Sequence, residues 1–189
     1  MILSLAEAIE RLRSPYTSED FSVLTGEPIL IVALDSDSGA PDSESIAAAE
    51  AGLAELPCPT VGFGAGGSHP AATSLRDRFD LVVNSQEELE PILLATRRTP
   101  LAAMALVQLL RQGIGLDIHQ GLIAESLVYA TLQSGPEFGE WLSARPAAPL
   151  HQPSPEPPVL LRRSGVRLEL TLNRPEKRNA FSAQMRDAL

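Results

Sequence analysis

Apolar and polar positions alternate along this chain in two rhythms, one of helices and one of strands. The opening MILSLAEAIERLR sets Glu7, Glu10 and Arg11 among apolar residues at helical spacing, which predicts an amphipathic helix over about residues 3–13. ILIVALD, residues 29–35, follows Pro28 as an apolar, β-branched run and reads as a buried strand. Asp42, Ser43 and Ser45 then offer caps for a helix through IAAAEAGLAEL to about residue 56. TVGF (60–63) is a short strand leading into a glycine-rich loop, and FDLVV (79–83) is another strand. Ser85 with Glu88 three residues on makes a capping box for a further helix. Residues 85–145 are mostly helical: Leu101, Met104, Leu106, Val107 and Leu110 share one wide face, and Leu122, Leu127, Val128 and Leu132 belong to another helix. Strands alternating with helices, then helices alone, predict an α/β layered domain with a mostly parallel sheet.

The helical pattern ends at PAAPLHQPSPEPP, residues 146–158, which holds six prolines. Proline removes backbone donors and biases the chain to polyproline II, so a stiff linker is expected between a domain at 1–145 and a segment at 159–189. In that last segment Leu168, Leu170 and Leu172 alternate as in a strand, Arg174-Pro175 forces a turn, and a helix start follows. This is how a domain opens. With about thirty residues after the linker, Leu168, Leu170, Leu172, Phe181 and Met185 have no core of their own, so the segment is expected to be poorly ordered or packed on the first domain.

Charge sharpens the division. The net charge is -9, which argues against nucleic acid or an anionic membrane as partner. Residues 159–189 nevertheless carry seven basic and three acidic groups, leaving eight basic and twenty-one acidic groups for the rest. A lone cysteine, Cys58, excludes an internal disulfide, and no zinc spacing occurs. The start lacks a basic region and a long apolar core, and no run reaches the 18 or so apolar residues of a membrane span. A soluble, cytoplasmic protein is expected.

Candidate chemistry in the first part is sparse. GFGAGG (62–67) satisfies GxGxxG at Gly62, Gly64 and Gly67, a pattern that seats pyrophosphate at a helix start. Here SHP follows, and no acid sits at the usual offset for a ribose, so a flexible glycine loop is the reading that fits. Asp35 and Asp37 follow a buried strand, where a phosphoryl-accepting aspartate would stand. The lysine such enzymes need is absent from 1–158, and the stretch also fails as a calcium loop, leaving a turn-forming acidic loop. His69, His119 and His151 are scattered, without metal or triad spacing. Glu125 lies in an apolar helical stretch, as a buried acid or at the stripe's edge, and Phe138 and Trp141 read as packing anchors. No catalytic residue and no metal ligand is assigned.

VRLELTLNRPEKRNAFSAQMRDAL, residues 166–189, resembles the opening of the crotonase superfamily, the enoyl-CoA hydratases and isomerases. Asn173, Arg174, Pro175, Asn179, Ala180 and Phe181 match its N-R-P-x-x-x-N-A-[LF] signature. The resemblance implies that this loop lines the adenine and phosphate part of a coenzyme A site, with Lys177, Arg178 and Ala180 as the contacts. Charge at Lys177 and Arg178 suits phosphate. More faintly, ILIVALD, the 43–56 helix, PTVGFGAGG, DLVV, TPLAAMALVQLLR and EFGEWLSAR follow the order of the family's elements. The chain therefore looks like a shortened crotonase-like domain, a proline-rich linker, and the first strands and helix of a truncated crotonase core.

The family stabilises a thioester enolate with two backbone N–H groups, and its hydratases add two glutamates. Residues 159–189 stop before those features. The first part lacks the A-G-x-D pattern after Asp35 and the glycine–glutamate helix start. The resemblance thus implies an acyl-CoA substrate, with coenzyme A entering as part of that substrate and no separate cofactor, and no turnover by these 189 residues alone. The family's fold often pairs through its helical ends, which makes the apolar helices over 101–142 a candidate interface of a homo-oligomer. The alternative is a non-catalytic oligomerisation or binding module of the same fold.

Overall fold

The computed structural model describes residues 1–36, 41–65, 70–146 and 156–189. Asp37, Gly67, His69 and His151, and most of the proline-rich linker, lie outside the described residues. The chain forms two compact units, Met1–Ala144 and Arg145–Leu189.

The first unit is built on a four-stranded sheet, β1 (Leu3–Ser4), β2 (Leu30–Ala33), β3 (Thr60–Phe63) and β4 (Leu81–Val83), parallel throughout and in sequential order. It is an α/β fold. Sequential parallel strands joined by crossovers of one hand place the intervening helices on one face. That face carries α1 (Leu5–Leu12), α3 (Ser43–Glu55) and α4 (Pro70–Arg76), whose Leu5, Ile9, Leu53 and Leu75 pack with Leu3, Leu30, Val32 and Leu34. The opposite face is smaller. Ile29, Ile31, Val61 and Val83 meet Leu89 of α5 (Gln86–Arg98) there. The period-2 alternation of ILIVAL thus divides between two cores, which is why the run is apolar without interruption. Each fully buried leucine contributes about 1.5–3 kcal/mol by leaving water.

Local chemistry fixes the joints. Ser4 and Glu7 form a reciprocal capping box at the start of α1, so β1 is only 2 residues long before the helix begins. The short α2 (Thr17–Asp20) follows, and the Thr17 hydroxyl bonds the carbonyls of Arg11 and Ser14. The Leu5 N–H donates to the Ser36 hydroxyl at 2.8 Å, tying α1 to the end of β2. Asp42 caps α3 through the N–H of Ser45 at 2.7 Å. Ser85 caps α5, but the Glu88 carboxylate turns to the N–H of Asn84 at 2.8 Å, one residue before the expected partner. Gly52 lets α1 and α3 approach closely: a Cβ there would lie 2.5 Å from the Leu12 carbonyl oxygen.

Beyond α5 come α6 (Pro100–Gly113), α7 (Ile118–Gln133) and α8 (Pro136–Ser143). None of the three has a buried residue. The wide face expected on α6 is divided, with Leu101, Met104 and Val107 half-buried and Leu106 and Leu110 exposed. Glu125 is exposed on α7, so the structure excludes a buried acid there. Thr99 does not cap α6 with its side chain; the Glu137 carboxylate at the start of α8 takes the N–H groups of Leu101 (2.7 Å) and Ala102 (3.0 Å) instead.

The second unit is a hairpin and a short helix. β5 (Val159–Ser164) and β6 (Arg167–Leu172) pair antiparallel, with Gly165 at φ 59 in the two-residue turn. Val159, Leu161, Leu168, Leu170 and Leu172 share one face of the hairpin, and Arg162, Glu169 and Thr171 the other. A 3₁₀ turn (Pro175–Lys177) leads to α9 (Ala183–Ala188), capped by Ser182. The segment forms regular elements rather than irregular chain. Met185 is buried, whereas Leu168, Leu170, Leu172 and Phe181 remain exposed.

Candidate functional site

Two places collect the residues that sequence singled out. The first is the C-terminal rim of the parallel sheet, where ligands of open α/β sheets generally bind. Asp35 leaves β2 there, and its carboxylate accepts the N–H of Ala65 at 3.1 Å. Gly64 adopts φ +101, and a Cβ at that position would lie 2.2 Å from the carboxylate. Arg76 of α4 closes the loop from the other side, its Nη1 donating to the carbonyl of Ala65 at 2.8 Å. Asp35 is thus a stitch between the ends of β2 and β3. Gly67, the third glycine of the dinucleotide pattern, lies outside the described residues; the helix α4 that follows is described from Pro70 and has 7 residues. Asp80, the acid after the loop, points elsewhere.

The second place is the turn of the second unit, which is held by its own side chains. The N–H of Arg174 donates to Asn179 Oδ1 at 2.8 Å, and Arg174 Nη1 donates to the carbonyl of Ala180 at 2.8 Å. The N–H of Asn179 returns to the Arg174 carbonyl at 2.8 Å, and that of Ala180 to the Lys177 carbonyl at 2.9 Å. Two successive residues, Arg178 (φ 51) and Asn179 (φ 56), are left-handed, a conformation asparagine tolerates better than most residues. The outcome is a closed loop with Lys177, Arg178 and Ala180 exposed on its outside. The signature residues Asn173, Arg174 and Asn179 therefore have structural work within the turn. Asn173 Nδ2 bonds Glu156 Oε2 and the Pro157 carbonyl, both at 3.1 Å, where the hairpin begins. The exposed cations offer donors and positive charge suited to a phosphate or other anion.

The most bonded polar cluster has no counterpart among the sequence expectations. Arg111 of α6 pairs with Asp80 at the foot of β4 through Nε–Oδ1 (2.8 Å) and Nη2–Oδ2 (2.5 Å). It also donates to the carbonyls of Leu56 (2.6 Å) and Cys58 (3.2 Å), while Gln108 adds bonds to Leu56 and Pro57. Asp80 Oδ2 accepts the N–H and hydroxyl of Thr60 at 2.8 and 2.9 Å. Burial pushes the Asp80 carboxyl up, but Arg111 and Thr60 outweigh it and hold the group below its ordinary value. Nearby, burial raises the Cys58 thiol to about 11, so it stays protonated and inert. A lone aspartate just before a strand and a lone arginine in a helix carry no sequence signal. Their pairing depends on the fold.

Among the described residues, no group of three or more histidine, cysteine, aspartate or glutamate side chains is arranged to hold a metal ion. No helix among them is long and apolar enough to cross a membrane. No family model, curated protein or solved structure matches the chain, so the class that stands is the fold itself, an α/β unit with a parallel sheet followed by a hairpin unit.

Proposed function

We propose that this chain is part of an acyl-CoA-handling protein of the crotonase type, the enoyl-CoA hydratase and isomerase family, in which the 174–180 turn receives the phosphates of coenzyme A. The observation that carries this reading is the turn's geometry. Its signature residues close it internally, which leaves Lys177 and Arg178 directed to solvent with their charge available. In this reading Ala180 offers its methyl surface, since its N–H and carbonyl are engaged within the turn. The 189 residues contribute ligand contact rather than the chemical step.

Titration of the full chain with coenzyme A, followed by amide NMR signals of residues 174–181, tests the proposal. Saturable shifts confined to the turn are expected, weakened about tenfold or more in a Lys177→Glu/Arg178→Glu variant. Failure to bind coenzyme A, or binding indifferent to that charge reversal, overturns it.

A second reading is favoured by a separate observation: α6, α7 and α8 bury none of their residues. In that reading the chain is a non-catalytic association module, and copies of it meet through the apolar helices. Sedimentation of the wild-type chain as a strict monomer sinks it.

A further inference from the structure

The last helix of the first unit, α8, rests on thin packing. It has 8 residues, none of them buried, and a free helix of that length does not persist in water. Its order therefore comes from what it touches. A cleft of about 380 Å³ is walled by Leu101, Met104, Leu127 and Val128 together with Pro136 and Glu137 of α8. A second, of about 340 Å³, lies between Ala102, Tyr129 and Leu132 and the helix's own Phe138 and Trp141. A helix bordered by two open clefts forgoes the close packing that fixes an interior element. Glu137, which lines both clefts, supplies a bond instead. Its carboxylate accepts the N–H groups of Leu101 (2.7 Å) and Ala102 (3.0 Å), 36 and 35 residues away in sequence. Those donors head α6, where no intrahelical acceptor is in reach and the Thr99 side chain gives no cap. Negative charge at a helix N-terminus makes these the strong kind of hydrogen bond.

We propose that α8 is a strap fastened by Glu137. It lifts about the Ser134–Gly135 joint as one element while the rest of the first unit stays folded, and in lifting it bares the apolar groove between α6 and α7. Among the described residues, neither hydrophobic core contains a residue of α6, α7 or α8, so the motion leaves both cores untouched. α6 keeps its own attachment, through Arg111 to Asp80 and to the carbonyls of Leu56 and Cys58. The two donors that Glu137 gives up belong to half-buried residues, where water can replace the carboxylate. Opening therefore costs the charged bonds and the slight packing of one short helix, well short of global unfolding. It takes Pro136 and Glu137 out of the wall of the larger cleft and leaves Met104, Leu127 and Val128 to solvent. Whatever enters that groove competes with α8 for it. The inference stands apart from coenzyme A binding at the 174–180 turn.

Hydrogen exchange of the full chain, followed by amide NMR at increasing sub-denaturing urea, tests the strap. The amides of residues 139–144 and those of Leu101 and Ala102, held by Glu137, are expected to exchange through one shared opening that urea barely affects. That exchange is expected to be about tenfold or more faster than at residues 106–110 inside α6. In Glu137→Gln the whole set is expected to exchange about fivefold or more faster still. Glu140→Gln, at an exposed carboxylate of the same helix, is expected not to speed it. α8 amides that exchange only through global unfolding, or that have no protection in the wild-type chain, overturn the strap, and this arm needs no variant to fold. Leu101 and Ala102 amides that exchange independently of 139–144, or that are indifferent to Glu137→Gln, overturn its fastening by Glu137.

Discussion

Arg111 and Asp80 grip one another through two parallel bonds, 2.8 Å and 2.5 Å long, across 31 residues of sequence. The pair fastens α6 to the foot of the sheet, and through it the helices that follow. With no buried residue in α6, α7 or α8, this polar joint takes the place that an apolar seam holds elsewhere in the unit.

Arg111→Met leaves the Asp80 carboxylate without its counter-charge at a largely buried site, at a cost of about 3 kcal/mol. Urea denaturation measures the loss. Combining it with Asp80→Leu removes the orphaned charge and recovers part of that stability; a double variant as unstable as the sum of the singles contradicts the pairing.

The same pair sets an acid limit. Asp80 has a folded pKa lowered below its ordinary value, so its contribution is complete above the unfolded carboxylate range near pH 4. It disappears as pH falls through the lowered folded value. Melting temperatures of wild type are therefore expected to fall more steeply below about pH 4 than those of Asp80→Asn. Parallel curves for the two proteins exclude the assignment.

Gly64→Ala meets two obstacles, a left-handed φ and the Asp35 carboxylate. It is expected to cost about 1–3 kcal/mol. Adding Asp35→Ala removes the collision and leaves the backbone strain, so stability returns in part. Full recovery shows that strain contributes nothing; no recovery shows that the collision does not.

Cys58 is expected to resist alkylation in the native chain. A thiol raised from 9.0 to about 11 holds roughly a hundredfold less thiolate at neutral pH, and burial restricts access further. Iodoacetamide labelling followed by mass spectrometry tests this: rapid native labelling contradicts the burial, and labelling that appears only with urea supports it.

What the sequence makes legible follows physical range. The strand TVGF and the helix over 43–55 are readable because alternation, composition and a cap act within a few residues. The hairpin and its turn are readable for the same reason. The two-residue β1 is not, because its pairing with Val32 and Ala33 is a property of the sheet, and its residues read as the start of α1. FDLVV reads as strand from residue 79, yet Phe79 is spent on the core and Asp80 on Arg111, so pairing starts at Leu81. Of the residues marked for chemistry, Lys177 and Arg178 stand where a solvated basic turn or an anion contact would put them, whereas Asp35 serves as a link between loops. That distinction rests on partners thirty residues away, which local pattern does not encode.

In the proposed contact with coenzyme A, the turn between Arg174 and Ala180 enters already ordered. Its backbone is settled by its own asparagine and arginine, so an arriving anion has no loop to organise. The conformational entropy lost on contact is confined to the long side chains of Lys177 and Arg178. Under that proposal, substituting Asn179 leaves both cations in place and still weakens coenzyme A binding, by returning to the loop the freedom that its internal bonds had removed.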